Sequence, residues 1–319
     1  MRKKSPKVSV IIPTHNRENL LKRAVKSVLN QTFKDFELIV IDDCSIDNTE
    51  QFVEKLAKKD KRIKFIKNTK NLGASISRNT GILKSRGELI AFLDSDDEWM
   101  SEKLQMQIDK FTNSDKKKLG FVCCKSFKVD DKDFIIGFDE FYSEKTKNPI
   151  KYQLLKGNIC STPSLLIKKD VFRKVGMFEE LLSGQEYELV MRILDNGYDF
   201  DYVDKFLVKI YQHKGKRISN NPKNKEKGMK DIFKIKNQYF KYLNHNEIIK
   251  LKEIYYFELF RFYIFVRSKR KAILVFLKII KNNSYNLKNY IKGTLGLIFG
   301  LKFLLWIEKK GEKFKKIYN

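Results

Sequence analysis

Apolar runs alternate with amphipathic stretches along the first third of the chain. Residues 8–12 and 36–41 are short and mostly apolar, which is typical of parallel strands that are covered on both faces. Residues 19–30 have apolar side chains at the i, i+4 and i+8 spacing of an amphipathic helix. The alternation continues with strands at 63–66 and 89–93 and helices at 46–58 and 74–84. This β-α-β-α-β-α-β order predicts an α/β fold with an open, mostly parallel sheet.

The rest of the chain is less regular. The pattern predicts helices at residues 100–111, 170–175 and 187–195, strands at 121–129 and 164–167, and a loop at 132–148. A polar stretch at 220–228 is the expected linker, because helical patterns rich in Phe, Tyr, Ile and Lys follow it. We therefore expect two domains, residues 1–215 and a helical, basic region at 216–319. The apolar run 293–307 is shorter than the about 20 residues that span a bilayer.

Composition excludes several classes of protein. With 5 Pro, 15 Gly and 42% hydrophobic residues in 319, the chain is neither collagen-like nor mucin-like nor globally disordered. Its four cysteines include no CxxC pair, so a disulfide framework or a structural zinc site is disfavoured. The basic residues 1–7 precede only a short apolar run, which does not resemble a secretory signal peptide. We expect a cytoplasmic protein.

The net charge of +27 is concentrated in residues 214–319, which contribute +20. Basic residues 267–271 precede the apolar run 272–277, and lysines follow the run 293–307. Apolar helices flanked by lysine and aromatic residues are typical of membrane-surface segments. Nucleic-acid binding is disfavoured, because no nucleic-acid motif is present and the segment is more apolar than a phosphate-binding arm. Dimerisation through these helices and a general lysine bias of the surface are the competing predictions.

Carboxylates follow two of the predicted strands. Asp42 and Asp43 follow the second strand, and residues 94–98 place four carboxylates after the fourth. In open α/β sheets, ligands bind outside the carboxyl ends of the strands. Carboxylates packed this closely repel one another unless a cation is present, which predicts Mg²⁺ or Mn²⁺ carrying nucleotide phosphates. The alternative is a solvated acidic turn and, at Asp47, a helix cap.

Four segments in this region resemble successive motifs of the family 2 glycosyltransferases. They are VSVIIPTHNR at residues 8–17, ELIVIDDCS at 37–45, NLGASISRNTG at 71–81 and FLDSDDEW at 92–99, which matches the DxD motif of that family. The resemblance extends over about residues 6–215. It implies a GT-A fold, which is a Rossmann-like, mostly parallel sheet flanked by helices. It also implies a nucleoside diphosphate sugar donor, Mn²⁺ or Mg²⁺ as cofactor, and inversion at the anomeric carbon.

The resemblance also implies roles for particular residues. The nucleotide sugar would be bound by Pro13, Thr14, Asn16, Arg17, Asp43, Arg78, Asp94 and Ser95. Among these, Asp43 would bind the base, Arg78 would lie near the diphosphate, and Asp94 would lie near the ribose or the sugar. Asp96 would coordinate the metal, with Asp97 as a second carboxylate that the sequence does not rank against it.

Residues 183–192, SGQEYELVMR, resemble the acceptor-side motif of the family. That motif usually has Glu-Asp before an aromatic residue, so Gln185 replaces the Glu and Glu186 replaces the catalytic Asp. The resemblance implies that Glu186 is the general base that an acceptor hydroxyl requires. The alternative is a carboxylate that only stabilises a helix N-terminus. The weaker acceptor-side candidates are Trp99, Gln185, Glu188 and His213.

The sequence is thus interpreted as a metal-dependent inverting glycosyltransferase, with a UDP-sugar favoured as donor. A saccharide or lipid-linked acceptor in surface polysaccharide or glycoconjugate biosynthesis suits a peripheral position on the inner face of the cell membrane. A sugar-nucleotide nucleotidyltransferase is disfavoured, because residues 13–17 contain no glycine for a phosphate loop. A non-enzymatic basic protein that binds membrane or nucleic acid is the other alternative.

Overall fold

A computed structural model of the protein describes residues 5–139, 148–212 and 221–282. The chain divides into two compact units, Met1–Gly215 and Lys216–Asn319. The strands of the first unit are β1 (Val8–Thr14), β2 (Phe36–Asp42), β3 (Ile63–Lys67), β4 (Leu89–Phe92), β5 (Glu98–Trp99), β6 (Leu119–Val129), β7 (Ile135–Phe138), β8 (Leu166–Lys168) and β9 (Asp199–Tyr211). Its helices are α1 (Glu18–Leu29), α2 (Thr49–Lys59), α3 (Ala74–Lys84), α4 (Lys103–Asn113), α5 (Pro149–Leu155), α6 (Lys169–Val175) and α7 (Gln185–Asp195).

The strands described in this unit form one sheet in the order β3-β2-β1-β4-β8-β6-β9-β5, with β7 paired to β6. The pairs among β1 to β4 are parallel, as the alternating pattern predicts. The sheet then becomes mixed, because β8 is antiparallel to both β4 and β6, whereas β9 is parallel to β6. The predicted mostly parallel α/β sheet is confirmed, and the acidic loop after β4 lies at its carboxyl edge.

The core explains why the first strands form where they do. Every residue of β1 and β2 is buried, which requires helices on both faces of the sheet. Helix α1 contributes its apolar stripe to this core through Leu21, Ala24, Val25 and Val28. The helix therefore holds the loop that precedes it against the carboxyl end of β1.

Several element boundaries differ from those expected. Helix α2 begins at Thr49 rather than at residue 46; its N-cap residue is Asn48, and Asp47 Oδ1 accepts hydrogen bonds from the Thr49 amide and hydroxyl just before the helix. Helix α4 begins at Lys103 rather than at residue 100, because residues 98–99 pair with β9. The expected loop at residues 132–148 contains strand β7, which is bonded to β6.

Lys103 lies in the core below the acidic loop with no exposed surface. Its Nζ donates to Gln107 Oε1 at 2.6 Å and lies 3.9 Å from the centre of the Trp99 ring. Burial lowers the pKa of Lys103 from 10.5 to about 8. The folded protein therefore carries a buried cation at neutral pH, and its desolvation opposes folding.

A pH-dependent difference in stability between the wild type and Lys103→Met is expected. The free energy of unfolding of the wild type should rise relative to the variant by about 3 kcal/mol as pH increases from 8 to 10.5. Between pH 8 and 10.5, Lys103 keeps its proton in the unfolded state but releases it in the folded state, so the folded state becomes more stable relative to the unfolded state. Urea unfolding on both sides of the window measures this, with Lys55→Met on the exposed face of α2 as control. A difference that does not vary with pH would contradict it.

The second unit contains helices α8 (Pro222–Gln238), α9 (His245–Phe265) and α10 (Lys269–Asn282). Most of the expected linker is helical, because the Asn221 side chain caps α8 and Pro222 occupies its first turn. A reciprocal pair of hydrogen bonds between Asn244 and Glu247 begins α9. Within the described ranges, none of the helices combines the length and apolarity needed to cross a bilayer. The apolar run 293–307 and the lysines after it lie outside the described residues.

Candidate active site

The loops after β1 and β2 are bonded to each other at the carboxyl edge of the sheet. The Asn16 amide donates to Ser45 Oγ at 2.8 Å, and Asn16 Oδ1 accepts from the Ile46 amide at 2.8 Å. Asn16 has φ of +50°, a left-handed conformation that asparagine tolerates better than most residues. Pro13 and Thr14 are buried in β1, and Thr14 Oγ1 has no hydrogen-bond partner within the described residues. The edge of a polar pocket is thus formed by backbone and short side chains.

Asp43 organises the loop that precedes α3. Its Oδ1 accepts hydrogen bonds from Asn68 Nδ2 and the Leu72 amide, and its Oδ2 accepts one from the Gly73 amide at 2.7 Å. Gly73 has φ of +84°, which a residue with a side chain rarely adopts. Asp43 therefore fixes the backbone before α3 at the carboxyl edge of the sheet. Because each carboxylate oxygen has two lone pairs, Oδ2 can also accept from a ligand.

Arg78 connects the acidic loop to helix α7. Its Nη2 donates to Asp94 Oδ1 at 2.5 Å, and its Nη1 donates to Gln185 Oε1. The Arg78 side chain is almost wholly buried, whereas that of Asp94 is partly exposed. Phe178 lies against the guanidinium, 5.5 Å from ring centre to Cζ. One cation thus holds residues that the sequence assigned to the donor side and to the acceptor side.

Asp96 is held by two arginines of the first loop and helix. Arg17 Nη1 pairs with Asp96 Oδ2 at 2.9 Å, and Arg23 Nη2 donates to the Asp96 carbonyl at 2.6 Å. Arg23 also stacks on Tyr211, with 3.3 Å between Cζ and the ring centre. The sequence pattern gives no indication of this role for Arg23. In the sequence of an amphipathic helix, an arginine that contacts a loop some 70 residues later looks the same as one that faces solvent.

Three further residues of the acidic motif are buried. Asp97 is 5% exposed, and its Oδ1 accepts from the Tyr211 amide at 3.0 Å. The carboxylate thereby anchors strand β9, and its role as a second metal ligand stays a prediction. Trp99 is 3% exposed and its Nε1 donates to the Pro163 carbonyl, so it belongs to the core and not to an acceptor surface. Ser95 is also buried.

Glu186 lies in the first turn of α7 and faces a different loop. Asn158 Nδ2 donates to Glu186 Oε1 at 2.9 Å, and Thr162 Oγ1 donates to Oε2 at 3.5 Å. Burial raises the pKa of Glu186, and the charge of Asp94 adds to this, while Arg78 opposes it. A glutamate whose pKa is raised above its ordinary value, and which the exposed Asn158 holds in place, is suited to accept a proton.

The other acceptor-side candidates have different surroundings. Gln185 bonds to Arg78 and to the Leu181 carbonyl, so it supports the arginine. Glu188 pairs with Arg192 at 2.5 Å, and Arg192 in turn donates to the Met177 carbonyl. This pair joins α7 to the chain after α6, and the acceptor-side position of Glu188 stays a prediction. His213 lies outside the described residues.

The profile described as glycosyl transferase family 2 matches residues 9–176, which is more than half of the chain. The chain belongs to glycosyl transferase family 2. An uncharacterised family relative, a glycosyltransferase of Methanocaldococcus jannaschii, is 35% identical over 207 residues, which cover 64% of this chain and 70% of the relative. The UDP-Glc:α-D-GlcNAc-diphosphoundecaprenol β-1,3-glucosyltransferase of Escherichia coli is 46% identical over 101 residues, but these cover only 32% of this chain and 39% of that enzyme.

Solved structures of glycosyltransferases share the fold of this family 2 chain. Residues 1–349 of TarS from Staphylococcus aureus, in complex with UDP-GlcNAc, superpose with a TM-score of 0.60 at 18% identity over 96% of this chain and 92% of that one. The mannosyltransferase PcManGT of Pyrobaculum calidifontis, in complex with GDP-Man and Mn²⁺, gives 0.58 at 15% identity over 93% and 81%. The predicted GT-A fold is confirmed.

The residues of this family 2 glycosyltransferase fit a divalent cation. Asp94 and Asp96 have the spacing of the DxD motif, are partly exposed, and each pairs with an arginine through one oxygen. Within residues 5–139, 148–212 and 221–282, no group of three or more His, Cys, Asp or Glu side chains is arranged to hold a metal. Mg²⁺ and Mn²⁺ need no such group, because one or two carboxylates bind them together with substrate phosphates and water. The donor set is therefore compatible with a cation that arrives with a diphosphate.

Proposed function

We propose that this protein is an inverting glycosyltransferase that moves a sugar from a nucleoside diphosphate sugar to the hydroxyl of a saccharide, most suitably one linked to a lipid. One observation carries this proposal. Arg78 bonds both to Asp94 of the acidic loop and to Gln185, the neighbour of Glu186. The group suited to the leaving diphosphate and the group suited to the acceptor proton are thereby held in one site.

On the donor side, the leaving diphosphate gains negative charge as the glycosidic bond breaks. Arg78 lies where it can stabilise that charge, and Arg17 supports the carboxylate of Asp96. Asp96, with Asp94 beside it in the motif, would hold Mn²⁺ or Mg²⁺, which supplies further electrostatic stabilisation of the diphosphate. Asp43 and Thr14 would receive the nucleoside. A UDP-sugar is the favoured donor, since both the E. coli relative and TarS are named with UDP-sugars.

On the acceptor side, Glu186 would remove the proton of the attacking hydroxyl. Inversion requires the hydroxyl to approach from the face opposite the leaving group, and therefore requires a base on a separate element. Helix α7 is such an element, since Arg78 lies on α3 and the other residues proposed for the donor lie at the ends of β1, β2 and β4 or in the loops after them. Asn158 keeps Glu186 Oε1 in position, and the raised pKa makes the carboxylate a stronger base than a free glutamate.

The proposed class of acceptor, a lipid-linked saccharide, is supported by the name of a relative. The E. coli enzyme acts on a sugar diphosphoundecaprenol, which is a lipid-linked saccharide. An acceptor of this kind places the proposed reaction in surface polysaccharide or glycoconjugate biosynthesis, at the inner face of the cell membrane.

Calorimetric titration with UDP, GDP and CDP, each with and without Mn²⁺, tests the donor site. One of the three nucleotides should bind in the presence of Mn²⁺, and Asp96→Asn should weaken that binding by about 100-fold. Even residues that only support the ligands of a metal change metal affinity by about 10- to 100-fold. Asp109→Asn, an exposed carboxylate on α4, is the matched control and should bind as the wild type does. If no nucleotide binds to the folded wild type, the proposed function fails.

A further inference from the structure

Helix α10 has two chemically different faces. Ala272, Val275 and Ile279 are buried and pack against α9 in the core of the second unit. Their i, i+3, i+7 spacing is that of one helical face. The opposite face has no such packing among the described residues, yet it is not polar in the manner of an ordinary surface helix.

The outward face of α10 combines exposed aliphatic side chains with cations. Ile273, Leu274 and Leu277 are 47%, 61% and 54% exposed. We name this the apolar–basic face of α10 and define it by Arg270, Ile273, Leu274, Leu277, Lys278 and Lys281, all of which are exposed. At 3.6 residues per turn these six side chains lie within an arc of about 140°.

The charged side chains of α10 itself and of residues 267–268 before it all have the same sign. Residues 267–282 contain six lysines and arginines and no aspartate or glutamate. Among the described residues, Glu226 of α8 pairs with Lys271 of α10, which lies beside the apolar–basic face. A surface of this composition is complementary to an anionic, apolar partner.

We propose that the apolar–basic face of α10 binds an anionic lipid surface, with Ile273, Leu274 and Leu277 inserted among the acyl chains. Leucine and isoleucine flanked by lysine are typical of helices that lie in the bilayer interface, whereas lysine is depleted from protein interfaces. The apolar side chains contribute burial, and the cations contribute attraction to anionic headgroups. This inference deepens the proposed function, since a lipid-linked acceptor lies in such a surface, but it does not depend on activity.

The test is cosedimentation of the full chain with vesicles. One set contains phosphatidylcholine alone and the other an equimolar mixture of phosphatidylcholine and phosphatidylglycerol. The wild type should bind the anionic vesicles at least about tenfold more tightly, since each of several cations contributes about 1 kcal/mol near an anionic surface. The double variant Leu274→Glu, Leu277→Glu should lose binding by about 30-fold or more, because it removes apolar burial and adds repulsion.

Leu83→Glu is the matched control, because Leu83 of α3 is 69% exposed and lies in the first unit. Circular dichroism of each variant confirms that it is folded, and Leu274→Ser with Leu277→Ser is the milder replacement if the glutamates disturb the helix. Equal binding to both vesicle sets, no binding to either, or an unchanged double variant would overturn the proposal.

Sedimentation equilibrium without lipid tests whether the apolar–basic face instead binds a second copy of this chain. If the wild type is a dimer that the double variant converts to a monomer, and lipid binding is unaffected, the face is a contact between two copies and the proposal fails. Nucleotide titration remains a separate measurement. If the chain binds anionic vesicles but no nucleotide, the proposed glycosyltransferase function fails and the proposal of lipid binding by α10 stands.

Discussion

Replacing Glu186 by glutamine should reduce sugar transfer by about 10³-fold and leave nucleotide affinity within about twofold of the wild type. Glutamine preserves the size of the side chain and can still bond to Asn158 and Thr162, but it cannot take a proton. The loss should appear in kcat and not in donor binding, because the proposed function assigns Glu186 to the acceptor and places the donor contacts on other elements. Transfer assays with the donor at saturation, together with calorimetry, measure the two quantities separately.

The control for this variant is Glu180→Gln, an exposed carboxylate shortly before α7 that should leave transfer unchanged. The pH profile adds a second readout. Because burial raises the pKa of Glu186, wild-type kcat/KM should fall on acidification with a midpoint above 4.5, the ordinary pKa of a glutamate. A Glu186→Gln enzyme with more than a tenth of wild-type turnover would assign the base elsewhere.

Replacing Arg78 by methionine should lower kcat/KM by about 10³-fold, the usual effect of removing a donor that stabilises transition-state charge. Methionine retains much of the aliphatic stem beside Phe178 but removes both hydrogen bonds. Asp94 and Gln185 then lose their shared partner, and the free energy of unfolding should fall by about 2 kcal/mol. Steady-state kinetics and urea unfolding test the two parts independently.

Lys84→Met, at the exposed end of the same helix, controls for loss of a cation from α3 and should change neither quantity. Arg78→Lys keeps the charge but not the planar fork that reaches two acceptors, so it should recover stability more than activity. If Arg78→Met lost stability but transferred sugar at the wild-type rate, Arg78 would be a structural link between the loops and nothing more.

The elements from β1 to β4 were predictable because local sequence patterns determine them. Buried parallel strands are apolar along their length, and helices between them have a 3.6-residue apolar period, so the order from β1 to β4 follows from the sequence. The acidic ends of β2 and β4 then necessarily meet at one edge. Helix α2 is less predictable, because it begins three residues beyond the start of the apolar pattern, after a turn in which the Asp47 side chain bonds to Thr49.

The orientation of individual carboxylates could not be predicted in the same way. Asp96 and Asp97 are adjacent and chemically identical, and only the arrival of β9 beside β5 turns Asp97 inward. Trp99 is similar, because its burial depends on Lys103 and on the carbonyl of Pro163, 64 residues later in the chain. Such contacts are set by tertiary packing and leave no local pattern.

Strand β9 has a consequence for how the protein is made. It is the last strand described in the first unit, yet it lies between β6 and β5, and its Tyr211 amide bonds to Asp97 across 114 positions of the sequence. A ribosome synthesises the acidic loop long before it synthesises β9, and contacts so distant in sequence form slowly. The nascent chain therefore exposes its acidic loop before the Tyr211 amide can bond to Asp97, and under the proposed function we expect its affinity for a nucleotide to become complete only after residue 211 has left the ribosome.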